Sequence, residues 1–288
     1  MNFRKTGWPE NLARNTVCFS VDVEWAAEVV VEDLCRLFRE HGIAATFFVT
    51  HAGVLAAGHE RGLHPNFRRD GETYRALPDA GVRTDSEVHE HVLARTHAFA
   101  PEAKGVRSHC LYYDSTLLPL YRRRGIEYDC TYQLPLVEGL RPFWKHHGIV
   151  EIPTYYADHF DLLTQASGFA LTALGLDRPG IKVFDFHPNL IYLNAPDEAH
   201  YVVTKSFYYD AERLRAARYP GRGVRSLLIE LLDHVAARGL PVVALGQVNS
   251  LWRTIPPWKR SRFNRRPTRH STSSSEMECR CRIFWSTI

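Results

Sequence analysis

The chain has 288 residues, 45% of them apolar and 24% charged, which are ordinary values for a globular protein with room for one large domain or two small ones. No run reaches the ~18 apolar residues that cross a bilayer, and the opening residues lack an apolar h-region with a small-residue cleavage site, so a cytoplasmic protein with no membrane span is expected. The net charge of +4 is concentrated in "KRSRFNRRPTRH" (259–270), which confines any nucleic-acid reading to a terminal segment.

In chain order, "TVCFSVDVEW" (16–25) reads as a β-rich strand ending in acids. "AEVVVEDLCRLFREHGI" (27–43) follows as a helix, with Val30, Leu34, Leu37 and Phe38 at helical spacing. "AATFFVT" (44–50) is a second strand, which completes a strand–helix–strand unit of a parallel α/β sheet. "HERGLH" (59–64) is a short strand. Residues 84–98 form a helix capped by Thr84 or Asp85, with Glu87 completing a capping box. "AKGVRSH" (103–109) is another strand. "DSTLLPLYRRRG" (114–125) is a helix that Pro119 bends or shortens. Residues 126–132, 148–156 and 181–187 are further strands. Residues 223–238 form the clearest amphipathic helix, stopped by Gly239, and "LPVVALGQV" (240–248) is a final strand.

Seven or eight strands alternating with helices over about 250 residues fit a (β/α) barrel, with a doubly wound open sheet as the alternative. Residues 1–15 form an N-terminal extension, 16–253 the barrel, and 254–288 a basic tail without apolar periodicity. A CxC pair, Cys279 and Cys281, lies in that tail. Cys18, Cys35, Cys110 and Cys130 are scattered and read as small buried residues.

The polar residues fall at strand ends, where barrels carry their chemistry. Asp22 and Glu24 have period-two spacing and face one side of a strand, an arrangement that calls for a cation, although acids capping the next helix are the structural alternative. His64 and His187 each stand before a proline in the repeated tripeptide His-Pro-Asn. Proline holds the preceding residue extended, so the tripeptide ends a strand on an imidazole, and Asn66 and Asn189 follow in the turn. Arg107, amid small and apolar neighbours, needs a carboxylate, for which Asp22 is the natural candidate. His109 faces the same way. Asp158 and His159 follow a strand. His89, His91 and His97 lie on the 84–98 helix, where His89 and His91 do not face together and so make no two-histidine site.

Taken together, "FSVDVEW", "HERGLHPNF", "VRSHCLYYDS", "EIPTYYAD" and "FDFHPNLIYLN" resemble, in order, the five motifs of the polysaccharide deacetylases with the NodB-homology domain, in particular the WbmS-like branch of surface-polysaccharide gene clusters. The resemblance spans about residues 16–250. It implies an α/β fold, a distorted (β/α)7 barrel, and a metal-dependent hydrolase that removes an N-acetyl group from a sugar of a surface polysaccharide or its precursor. It implies Asp22 as base, Glu24 and His64 as ligands of zinc or of cobalt, nickel, manganese or iron, Arg107 orienting Asp22, and His187 as general acid.

The sequence departs from the pattern at Arg68, where the family places a second histidine. His109 is the substitute ligand, with His59 a weaker candidate and water a third. Trp25, Asn66, Tyr112, Tyr155, Asp158 and Asn189 are candidate contacts to a carbohydrate or nucleotide-sugar substrate, alongside Tyr113 and Tyr156. Rival readings are a hydrolase of another small C–N substrate and a non-catalytic sugar-binding protein of the same fold.

Overall fold

The structure, a computed structural model, describes residues 15–75 and 84–255. The basic cluster, the CxC pair and nearly all of the N-terminal extension lie outside the described residues. The strands are β1 (Val17–Asp22), β2 (Thr46–Val49), β3 (Glu60–Leu63), β4 (Gly105–Val106), β5 (Tyr128–Asp129), β6 (Phe143–Trp144), β7 (Val150–Glu151), β8 (Tyr156–Ala157) and β9 (Lys182–Phe186). They form one sheet in the order β6-β7-β5-β4-β3-β2-β1-β9-β8. Every pairing is parallel except β6 with β7. The sheet curls into the half-barrel expected as a distorted (β/α)7 barrel, with the C-termini of all strands but β6 at one end.

The helices are α1 (Glu28–Glu40), α2 (Glu72–Arg75), α3 (Asp85–His97), α4 (Leu117–Arg123), α5 (Asp158–Thr164), α6 (Pro188–Leu193), α7 (Glu198–Thr204), α8 (Ala211–Ala216), α9 (Val224–Arg238) and α10 (Leu245–Arg253). α1 buries Val30, Val31, Leu34, Cys35, Leu37 and Phe38 on one face, the i, i+3, i+4 pattern visible in its sequence. α3 starts on the expected capping box, in which Thr84 Oγ1 accepts from Glu87 N–H and the Glu87 carboxylate accepts from Thr84 N–H. α9 ends at Gly239, whose φ of 59° is the left-handed conformation that glycine adopts freely. Every residue of β1 is buried, as a strand covered on both faces requires.

Four expectations are corrected. The strand read over 103–109 pairs only at Gly105–Val106, because the chain turns there to aim Arg107 and His109 into the site. The run 148–156 is two strands separated at Pro153, which has no N–H for a ladder. Residues 240–248 make only a bridge from Val242 to Val17. Leu245 onward is helical, burying Leu245, Val248, Asn249 and Trp252 at helical spacing. The 114–125 helix begins at Leu117, so Pro119 falls in the first turn, where a missing N–H costs nothing.

Gly105 marks the tightest backbone approach in the sheet. A Cβ there would lie 2.0 Å from Cζ of Tyr128, a fully buried ring whose hydroxyl donates to Glu60 Oε1. Gly105→Ala should therefore destabilise the fold by about 1–3 kcal/mol through overpacking. A urea midpoint equal to that of the parent protein would refute this.

Candidate active site

Arg107 is the centre of the site and is 1% exposed. Its five N–H groups all find acceptors. Nε donates to Cys130 O at 3.1 Å, and Nη1 donates to Asp22 Oδ1 at 2.9 Å and to Asp185 Oδ1. Nη2 donates to Ser20 Oγ at 2.9 Å and to Thr154 Oγ1 at 3.0 Å. The guanidinium also lies over the Phe48 ring at 4.5 Å.

Two carboxylates thus share one guanidinium nitrogen. Burial opposes the charge on Asp22, but Arg107, His64 and His187 outweigh it and hold Asp22 below the usual carboxylate range. Asp185 goes the other way. Burial drives its pKa up to about 8, with Arg107 opposing and Asp22 adding to the rise. Because the pair is buried and hydrogen-bonded, removing the cation leaves two uncompensated acids. Arg107→Met should cost about 3–5 kcal/mol of stability. Unfolding curves for the two proteins test this, and an unchanged midpoint would contradict the account of the network.

The second group is Glu24, His64 and His109. The period-two spacing to Asp22 suggested that Glu24 reaches it along the strand, but it does so through a turn. β1 ends at Asp22, and Ala26 N–H bonds Val23 O at 3.0 Å across a turn. Both central residues of that turn are left-handed, Glu24 at φ 51° and Trp25 at φ 56°, a rare conformation for such side chains. Trp25 N–H donates to Thr50 Oγ1 at 3.0 Å, and Tyr208 donates its hydroxyl to Glu24 O at 2.7 Å, which together fix the turn.

Glu24 Oε1 then lies 2.8 Å from His109 Nδ1 and 3.2 Å from His64 Nε2, and the two ring nitrogens are 3.3 Å apart. Donor atoms about 2.0–2.1 Å from a tetrahedral ion are themselves about 3.3 Å apart, and two histidines with one glutamate form a catalytic zinc set. The residues fit a divalent metal. Burial works against ionisation of Glu24, yet hydrogen bonds from His109 and His64 hold its carboxyl well below the usual range. His64 Nδ1 is buried without a hydrogen bond, 3.7 Å from Asp22 Oδ1.

The third group is His187 with Asp158. His187 directly follows β9, ahead of Pro188 as its tripeptide suggested, and serves as the N-cap of α6. Asp158, fully buried, accepts from the His187 backbone N–H at 2.8 Å and lies 2.6 Å from its Nδ1. That bond fixes the ring. Burial disfavours the imidazolium, but Asp158 and Asp185 overcome it and raise the His187 pKa to about 10. His159 packs edge-on against His187 at 5.0 Å, and burial together with His187 lowers its pKa to about 4. A carboxylate oxygen of Asp22, one of Asp185 and a ring nitrogen of His187 lie within 4.8 Å of one another, so the first and third groups adjoin.

The remaining candidates are divided between the site and other parts of the fold. His59 precedes β3, at the opposite end from His64, with Nδ1 accepting from Ala45 N–H at 3.2 Å and its ring against Phe38 and Phe47, too far to ligate. Arg68 turns to Asp70, its Nε 2.9 Å from Oδ1 and its Nη2 2.7 Å from Oδ2. Tyr155 is 1% exposed and donates to Leu174 O, so its ring belongs to the core rather than to a sugar-binding surface. Asn66 is buried and accepts from Arg68 N–H in a local turn, and Asn189 is buried and donates to Tyr208 O. Tyr112 lies beside His89 and Phe67. Asp158 is buried behind His187 rather than open to a ligand. Trp25 packs edge-on against His109 at 5.1 Å. Cys18, Cys35 and Cys130 are buried as expected, whereas Cys110 is exposed, with Sγ 3.2 Å from His109 Nε2.

Sequence reasoning gave no role to Ser20, Thr154 or Tyr208. Ser20 had a signal, since it alternates with Asp22 along β1 and shares its face. Tyr208 had none, lying 184 residues from the turn it holds.

A curled parallel sheet carrying acids, histidines and a buried arginine at its strand C-termini is the architecture of the polysaccharide deacetylases. The family model described as "WbmS-like: Polysaccharide deacetylase" matches residues 19–205, and the chain belongs to that family. A solved structure from Bordetella bronchiseptica, described as a polysaccharide deacetylase involved in O-antigen biosynthesis (WbmS), is similar at 28% identity and a TM-score of 0.67. The match covers 78% of this chain and 93% of that one. A polysaccharide deacetylase structure from Mycobacterium smegmatis shares the fold at 19% identity and a TM-score of 0.52, covering 86% of this chain and 92% of that one. No functionally curated protein matches the sequence. Among the described residues, no helix is long and apolar enough to cross a membrane.

The His187–Asp158 pair has a pH signature. A histidine whose pKa rises on folding adds stability that is complete below its unfolded value of about 6.5 and is lost as pH climbs through about 10. Asp158→Asn should therefore destabilise the protein more at pH 6 than at pH 10 in urea unfolding. An equal loss at both values would mean that the pair does not carry the charge described.

Proposed function

We propose that the chain is a metal-dependent hydrolase that removes the N-acetyl group from a sugar of a surface polysaccharide or its precursor. The observation that carries this reading is the placement of two differently tuned groups, Asp22 on Arg107 and His187 on Asp158, beside the Glu24–His64–His109 cluster. The description of the Bordetella relative supports a surface polysaccharide as the substrate class.

Glu24, His64 and His109 would hold a divalent ion, zinc first among zinc, cobalt, nickel, manganese and iron by its match to the donor set. When bound, such an ion polarises the acetyl carbonyl and lowers the pKa of water. Asp22, kept ionised by Arg107, accepts a proton from the attacking water, whose oxygen bonds to the acetyl carbon. The C–N bond then breaks, and the nitrogen takes the proton that His187 carries. Acetate and the amino sugar leave. Asp158 holds His187 Nδ1, so that the other ring nitrogen faces the leaving amine. Asp185 anchors Arg107 opposite Asp22.

Asp22→Asn and His187→Ala should each lower acetate release by at least about 10²-fold with the fold intact by circular dichroism. Substrates to assay are N-acetylated nucleotide sugars and oligosaccharides, with small amides as the comparison class. His109→Ala should lose the roughly one equivalent of metal that the parent protein retains after dialysis. Full activity in either catalytic variant, or equal metal content in His109→Ala, would sink the assignment.

A further inference from the structure

Outside the deacetylation site, α1, α8, the loop after α8 and α9 surround a cavity of about 300 Å³. Four arginines line it, Arg36, Arg215, Arg218 and Arg225, against two acids, Glu32 and Asp33. Glu32 is engaged by Arg39, which is not part of the lining. Within the lining Asp33 therefore faces the four guanidinium groups, and from outside it Glu40 Oε1 adds a carboxylate 3.8 Å from Arg36 Nε. Its Oδ1 accepts from Arg36, and its Oδ2 accepts from Arg225 Nη1 at 2.6 Å, with Arg218 Nη2 at 4.0 Å. Arg215 is exposed and has no acidic partner among the described residues.

Two of these arginines are already fixed in place. Arg218 Nε donates to Tyr192 O at 2.6 Å, and its guanidinium lies over the Tyr192 ring at 4.9 Å. Arg225 is held by Asp33. Groups fixed in advance lose little freedom when a ligand arrives. Burial, with Arg225 next, lowers the pKa of Arg218, as expected where cations crowd without enough counter-charge.

We propose that this cavity binds a phosphate or diphosphate group. Guanidinium forks match the edges of a phosphate, and arginines converging from α1, the loop after α8 and α9 suit a tetrahedral oxyanion better than a planar carboxylate. Two sources carry that chemistry, a soluble nucleoside diphosphate ester and the headgroup of an anionic phospholipid. The proposal is independent of the deacetylation reading, because none of these residues belongs to that site.

The test uses the full chain at low salt. Calorimetric titration with inorganic pyrophosphate should show one site. Arg215→Ala alone, and together with Arg225→Ala, should weaken that binding by about tenfold or more, with unchanged circular dichroism. Replacing Arg265 and Arg266 in the basic tail by alanine should leave it intact. UDP bound with the same sensitivity to Arg215→Ala identifies the soluble source. Co-sedimentation with phosphatidylglycerol vesicles that depends on Arg215 and is competed by pyrophosphate identifies the lipid source. The proposal fails if pyrophosphate does not bind, if binding follows the tail arginines, or if Arg215→Ala and the double variant bind as the parent does.

Discussion

The Arg107 guanidinium is the interaction on which the rest of the site depends. It draws Ser20 and Asp22 from β1, Asp185 from β9, the Cys130 carbonyl after β5 and Thr154 ahead of β8 onto one planar group. A buried cation with any donor unmatched would cost free energy, and here every donor is matched. The same group sets the electrostatics. With one cation between two acids, the Asp185 carboxyl is pushed up and the Asp22 carboxyl is held down, so Asp22 is the one favoured as the anion. The strand ends are thereby tied together, and one of the two acids is kept as an anion.

Two irregular turns do what strands alone do not. Glu24–Trp25 and Cys110–Leu111 are consecutive left-handed pairs, and each sits beside a member of the Glu24–His64–His109 cluster. Such conformations cost about 1–3 kcal/mol per residue and persist where the surroundings over-determine them. At Glu24 the surroundings are Thr50 and Tyr208. At His109 the backbone N–H donates to Pro65 O at 3.0 Å, so the proline of the first His-Pro-Asn also helps place the histidine that stands where a second motif residue would.

Much of this was legible in the sequence because it rests on local rules. The helix faces of α1 and α9, the capping box of α3 and the two prolines that end strands on His64 and His187 follow from short-range spacing and backbone restriction. Arg107 with Asp22 followed from the cost of burying a charge. What escaped depends on distant chain or unusual dihedrals. Nothing near Glu24 announces a left-handed turn, since neither Glu nor Trp favours one. The apolar run 240–248 looked like a strand, yet it becomes helical at Leu245, because short apolar runs do not separate strand from buried helix. Tyr155 looked like a sugar-stacking ring, but aromatic residues at strand ends serve the core equally well.

The strand order has a consequence for how the chain comes together. β1 lies between β2 and β9, yet β9 is separated from it by some 160 residues, and β8 pairs with β9 alone. As the polypeptide is synthesised, one edge of a fully buried central strand waits unpaired until nearly two-thirds of the chain has been made. Arg107 meanwhile has Asp22 available but not Asp185. Long-range closure of this kind is slow and leaves an exposed edge open to wrong pairing. The sheet's last-arriving strand is also the one that brings Asp185 and is followed by His187, so commitment to the native topology and completion of the active site are the same event.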